Sequence, residues 1–208
     1  MGITVRPAQL SDIAELARVL SIAFSDDPLM SWLIRDDVTR ARRVAALFTA
    51  QARHHFIPLG GAEVACNDAN SVVGAALWAP PGHWHVSDSA MLAQLPGLAF
   101  AFRRRLLVAA RLADRMAAAH PREPHWYLAV IGTLPGVRGQ GYGKALLNSR
   151  LDRCEAEGVP AYLESSKPDN VPYYERFGYE VTGTLDAAKG GPPLWPMWRT
   201  PRGRETRW

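Results

Sequence analysis

Between a run of aromatic and branched residues, His125 to Thr133, and a helical pattern, the chain carries "GVRGQGYGKALL", Gly136 to Leu147. Gly139, Gly141 and Gly143 stand at every second position between Arg138 and Lys144. Glycine weakens a helix interior by about 1 kcal/mol relative to alanine, so three of them at a helix entrance require a tight turn or a close neighbour. Beyond them Leu147, Leu151 and Cys154 share one helical face, Lys144, Asn148, Asp152 and Glu155 another, and Gly158 is placed to end the helix. "AYLES", Ala161 to Ser165, then reads as a strand. Strand, glycine turn, helix and strand make a right-handed crossover, which commits the chain to an α/β fold. The crossover also sets unpaired N–H groups and a partial positive charge at the glycine turn, a site suited to phosphate.

The remaining elements are read from periodicity. "ITVR" (Ile3 to Arg6) is a strand candidate, and Ile13, Leu16, Ala17, Leu20, Ala23 and Phe24 recur at helical spacing. Asp12, with Glu15 three residues on, has the spacing of a capping box. Asp27-Pro28 ends that helix, and a second is expected over Arg40 to Phe56 with Val44, Leu47 and Phe48 inward. "AEVAC", "NDANS" and "VVGAALWA" read as a hairpin, and "PPGHWHVSD" as a loop. Ser87 to Ala119 is a long helical region expected to break at Pro96-Gly97, with Arg103 to Arg105 on a solvated face. "NVPYYERFG" is a short helix ended by Gly178, and "YEVTGTL" and "PLWPMWRT" are the last strands.

Bulk properties exclude several classes. The chain has 208 residues, 48% hydrophobic and 21% charged, as expected of one globular α/β domain. A net charge of +4 without a basic stripe argues against a nucleic-acid partner. The most apolar stretch, Leu98 to Leu112, is interrupted by three arginines, so no membrane span is expected. The N-terminus has no signal-peptide pattern, and two distant cysteines, Cys66 and Cys154, fit a reduced, cytoplasmic protein. His83 with His85, and His54 with His55, have no further ligand at metal spacing, so no metal is expected.

Three phosphate motifs compete for the glycine turn. A Walker loop wants Ser or Thr after Lys144, where Ala145 stands, and a dinucleotide fold wants G-x-G-x-x-G after an early strand. An acyl-CoA pyrophosphate site wants Arg or Gln, two residues, Gly, one residue, then Gly or Ala, and Arg138 to Gly143 matches in full. On "VRGQGYGKALL", on "NVPYYERFGYE" and on the order of elements, the chain resembles the GNAT superfamily of N-acetyltransferases. The resemblance is closest over residues 118 to 201, weaker over 1 to 34 and faint over 80 to 117.

That resemblance implies a central, mixed but mostly antiparallel twisted sheet flanked by helices, as one domain over 1–208. Residues 1–120 would form an acceptor-side half, and 121–200 the acetyl-CoA half. Val130, Ile131, Gly132 and Thr133 would meet the pantetheine arm, with an N–H group polarising the thioester oxygen. Arg138, Gly139, Gln140, Gly141, Tyr142, Gly143 and Lys144 would cradle the pyrophosphate. Asn170, as cap of the short helix, and Arg176 would also contact the cofactor. Tyr174 takes the position of the family's general acid, with Tyr173 as core packing. Glu164, a carboxylate on an otherwise apolar strand, is the candidate base. Asp26 and Asp27 are read as turn and cap residues that could also attract a cationic amine. Phe24, Asp27, Trp32, Trp78, Trp84 and Trp126 are the candidate acceptor lining. The expected acceptor is a small-molecule primary amine, with aminonucleoside-type antibiotics among the candidates. Alternatives are a protein N-terminus, lysine or polyamine, or a non-catalytic acyl-CoA sensor. The expected state is monomer or homodimer.

Overall fold

Asn67 closes the first hairpin with its own side chain, whose Oδ1 accepts from the N–H groups of Ala69 and Ser71. The computed structural model describes residues 2–186 and 190–202. The strands are β1 (Thr4–Pro7), β2 (Ala62–Cys66), β3 (Val72–Ala79), β4 (Trp126–Thr133), β5 (Ala161–Ser165), β6 (Glu180–Val181), β7 (Leu185–Asp186) and β8 (Pro193–Arg199). They are ordered β1-β2-β3-β4-β5-β8-β6, with β7 on β8. Every pairing is antiparallel except that of β4 with β5, the two strands joined by the crossover. This is the mixed, mostly antiparallel sheet expected above.

The helices are α1 (Ile13–Ala23), α2 (Pro28–Leu33), α3 (Asp37–Gln51), α4 (Asp88–Phe102), α5 (Leu106–Ala119), α6 (Tyr142–Glu157) and α7 (Val171–Glu175). On one face of the sheet, α1 to α5 cover a core that includes Leu16, Leu20, Val44, Leu47 and Phe48. On the other, α6 contributes Leu146, Leu147, Leu151 and Cys154, and α7 contributes Tyr174. Gly158 ends α6 in the left-handed region, at φ +66°. No helix among the described residues is long and apolar enough to cross a membrane.

Three local expectations are corrected. The Asp12 carboxylate reaches back to the Gln9 N–H at 2.7 Å and pairs with Arg6, so it does not cap α1 through Glu15. Pro96 lies inside α4, which does not break there. At that turn α4 lies tight on α3: a Cβ on Gly97 would fall 2.7 Å from that of Ala50. The break comes at Arg103, with φ +47°, and Arg103–Arg105 form a 3₁₀ turn between α4 and α5 rather than a helix face. Arg105 stacks over Trp32 at 4.8 Å.

Candidate active site

β4 and β5 pair only from Trp126 to Leu128 with Ala161 to Leu163. Beyond that point they separate, and a cavity of about 1450 Å³ opens between their ends and the helices α1 to α5. A bulge on β4 accompanies the separation. Leu77 pairs with Val130 and Trp78 with Leu128, which leaves Ala129 unmatched. An extra residue in one strand re-aims the side chains that follow it. Before the bulge Tyr127 belongs to the α1 side; after it Val130 and Gly132 do. Val130, Ile131, Gly132 and Thr133 all line the cavity.

The glycine turn opens α6 at the cavity mouth. Gly141 is its N-cap at φ +93°, and Gly139 sits at φ +78°, both in the left-handed region. Gly143 answers to a close neighbour: a Cβ there would lie 2.9 Å from Tyr173 Oη. The sequence thus needs glycine for both reasons, conformation twice and contact once. The first bond into α6 runs from the Ala145 N–H to the Gly141 carbonyl, so the amides of Tyr142, Gly143 and Lys144 have no partner within the helix. Arg138, Lys144 and Arg176 line the same end. A close backbone approach, free N–H donors and three cations fit a pyrophosphate. Gln140 is the exception among the expected contacts. Its Nε2 donates to the Gly136 carbonyl at 3.1 Å, and its side chain folds onto its own turn, outside the cavity lining.

α7 brings both tyrosines to the cavity. Tyr174 is buried, and burial pushes its phenol well above the ordinary value, with Tyr173 and Asp27 adding to the shift. Tyr173 is half-buried, packed against the α6-side core as expected and beside Gly143. Asn170 precedes α7 but makes no side-chain cap bond, and it lines the cavity. A phenol of ordinary pKa about 10 is already a weaker acid than a thiol at about 8.5, so complete proton transfer from Tyr174 to sulfur runs uphill. The group suits a hydrogen-bond donor to developing charge better than a free-standing acid.

Glu164 projects from the free end of β5 with its side chain 3% exposed. Its Oε1 has no hydrogen-bond partner and lies 3.7 Å from His120 Nδ1. Burial, then the Glu164 charge, raises the phenols of Tyr127 and Tyr162. His120 and His125 meet through their Nε2 atoms at 3.0 Å, and His125 Nδ1 contacts the Glu123 carbonyl at 2.6 Å. A carbonyl can only accept, so His125 Nδ1 carries the hydrogen. Burial holds the His125 pKa down, which keeps that ring neutral and leaves its Nε2 as an acceptor. His120 Nε2 must then donate, and in neutral His120 the bare Nδ1 faces Glu164. The carboxylate and the imidazole thus present two lone pairs to one space. Neither histidine was singled out in the sequence. The only available signal is "HPREPH", two histidines fixed by prolines ahead of a strand.

The acceptor-side expectations divide. Phe24 lines the cavity and packs edge-on to Phe48 at 5.3 Å. Asp27 lines it too, but one carboxylate oxygen caps α2 at the Met30 N–H and the other accepts from Ser166. Burial nonetheless raises its carboxyl pKa. Asp26 pairs with Lys167 at 2.7 Å. Trp84 reaches the cavity, yet it is stacked between His85 and His120, at 3.4 and 3.7 Å, so neither ring face is open to a substrate. Trp78 and Trp126 belong to the α6 side of the sheet. Trp126 lies under Arg150 at 4.3 Å and donates to Glu157. Trp32 packs on the α1-side core, outside the cavity lining. The chamber wall is instead supplied by Leu29, Leu47, Phe56, Leu98, Phe102 and Leu112.

Among known proteins, the model described as the acetyltransferase (GNAT) family matches residues 23–179. An uncharacterized N-acetyltransferase of Schizosaccharomyces pombe is 42% identical over 59 residues, 28% of this chain and 24% of that protein. The match therefore spans about a quarter of that relative's length. A crystal structure from Corynebacterium glutamicum, described as histone acetyltransferase HPA2 and related acetyltransferase, is 29% identical with TM-score 0.77, covering 99% of this chain and 100% of that one. A Drosophila melanogaster polyamine N-acetyltransferase shares the fold at 17% identity and TM-score 0.65, covering 96% and 100%.

Proposed function

The chain belongs to the acetyltransferase (GNAT) family, and from that premise we propose that it moves an acetyl group from acetyl-CoA to the primary amine of a small, largely apolar molecule. The observation that supports this most is the meeting, in one cavity, of the free α6 amides, the Tyr174 phenol and the Glu164 carboxylate. Acetyl-CoA, the cofactor of this family, supplies a thioester whose carbonyl carbon is the electrophile. Residues 139 and 141–144, with Arg138 and Arg176, hold the pyrophosphate, and β4 beyond the bulge holds the arm. Glu164 takes a proton from the amine nitrogen, and His120 Nδ1 shares it. The C–S bond breaks as the amide forms, and CoA leaves as the thiolate, toward which Tyr174 Oη donates a hydrogen bond.

The chamber favours an apolar acceptor. Its acidic lining residues are Asp27, Asp114 and Glu164, and both oxygens of Asp27 are engaged. A polyamine, the substrate in the name of the Drosophila neighbour, would call for carboxylates spaced along its length. Within the family, "GVPAYLESSKPDNVPYYERFGYEVT" and "GGPPLWPMWRTP" are similar to puromycin N-acetyltransferase, which brings aminonucleosides into the candidate set. The test is thiol release from acetyl-CoA with puromycin, other aromatic amines, spermidine and a lysine peptide. Aromatic amines are expected to give the highest kcat/KM. Faster turnover of spermidine or the peptide would overturn the acceptor assignment, and no turnover with any amine would point to an acyl-CoA sensor.

Tyr174→Phe is expected to lower kcat about 100-fold, the usual loss for one donor aimed at developing charge, with acetyl-CoA affinity nearly unchanged. Tyr173→Phe is the control. A larger kcat loss in the control would reverse the assignment of the pair.

A further inference from the structure

Among the described residues eleven buried side-chain nitrogen and oxygen atoms lack a hydrogen-bond partner, and those on residues that line the cavity are Glu164 Oε1, Gln51 Oε1, His55 Nε2 and Gln94 Nε2. Glu164 is accounted for by the chemistry above. The other three belong to a different wall, built by α3, the π-turn Ala52–Phe56 that extends it, and α4. The two helices run antiparallel here. Arg43 Nε donates to the Ala101 carbonyl, and Gly97 lies on Ala46 and Ala50. That register carries Gln94, one turn before Gly97, to the level of Gln51 and His55. Gln94 is 2% and His55 6% exposed, among the apolar side chains of the chamber.

A buried polar group without a partner is costly, so native chains rarely retain one without a use. Retaining three on one wall of one cavity is a specific arrangement. Two amides and an imidazole carry no net charge, because burial holds the His55 pKa down. An ionic group placed against them would lose its hydration without a counter-charge. Gln51 Oε1 offers an acceptor, Gln94 Nε2 a donor, and neutral His55 Nε2 accepts or donates according to its tautomer. A carboxamide presents the complement: N–H donors and a carbonyl acceptor in one plane.

Resting on the acceptor reading above, we propose that Gln51, His55 and Gln94 form a recognition subsite for a neutral carboxamide-like edge on the otherwise apolar amine. The subsite sets which amine is accepted and takes no part in the acyl transfer.

The test uses pairs of aryl-alkylamines with arms of graded methylene length, each bearing a ring carboxamide or its isopropyl isostere. Thiol release gives kcat/KM for every member. For at least one arm length the carboxamide is expected to exceed its isostere by about tenfold to a hundredfold, since a site built for hydrogen bonds rejects an analogue that lacks them. In Gln94→Leu and Gln51→Leu that ratio is expected to fall to one or below, while turnover of the isopropyl amine is kept or improved. Retained turnover shows that the variants fold. A wild-type preference for the isopropyl member at every length overturns the subsite, as does an equal loss of both members in the variants. If no amine is turned over, the failure lies with the acetyl-transfer reading. The subsite is then judged by thermal shift with the matching aryl carboxamide that lacks the amine, whose stabilisation must exceed that by the isopropyl compound and vanish in Gln94→Leu.

Discussion

Gly141→Glu is expected to bind acetyl-CoA at least a hundredfold more weakly than the native chain in a calorimetric titration. Two effects act together. At φ +93° any side chain strains the turn that opens α6, and glutamate also sets a carboxylate among the amides of Tyr142, Gly143 and Lys144. The two are separated by Gly141→Gln, which carries the same strain and nearly the same volume without the charge. The glutamine variant is expected to lie between, with the glutamate variant about tenfold weaker again. Like unit charges about 4 Å apart near a surface repel by about 4 kcal/mol before screening, so a tenfold difference is a modest expectation. The gap between Glu and Gln should narrow as salt is added, because the site is open to water. Native affinity in the glutamate variant would remove the pyrophosphate from this turn.

The glycine-turn end of the cavity was legible because its signals are local. The turn from Arg138 to Gly143, the helix face of Leu147, Leu151 and Cys154, and Gly158 as its stop are spacings within one segment, and each has its structural counterpart. The rest of the cavity was not legible because it depends on tertiary facts. Whether Trp78 or Trp126 faces the cavity is decided by strand parity, and both fall on the α6 side. On β4 that parity is shifted at Ala129, a bulge that nothing in "WYLAVIGT" announces. Pro96 read as a helix stop, but propensity is a weak guide when packing against Ala46 and Ala50 holds the turn in place. Trp84 lines the cavity, but which groups cover its ring is again a tertiary fact, and His85 and His120 occupy its faces. His55 stood out only as half of the His54–His55 pair, and the residues that the sequence hid most completely are His120, His125, Gln51 and Gln94. None of them belongs to a motif, and their meaning comes from which atoms lack partners once the chain is folded.

Glu164→Gln is expected to lower kcat/KM for the preferred amine by about a hundredfold to ten-thousandfold, the range for loss of a positioned proton acceptor. Glutamine keeps the volume on β5 but cannot take a proton. The loss should fall on kcat more than on acetyl-CoA affinity, since Glu164 lies away from the glycine turn. His120→Phe tests the other half of the pair. Phenylalanine keeps a ring against Trp84 while removing the Nδ1 that stands 3.7 Å from Glu164 Oε1. If the two groups share the proton, His120→Phe loses less than Glu164→Gln, and the double variant loses little more than Glu164→Gln alone, because residues that act as a unit are not additive. Wild-type kcat/KM in Glu164→Gln would remove this carboxylate from the chemistry, and fully additive losses in the double variant would dissolve the pair while leaving Glu164 as the base.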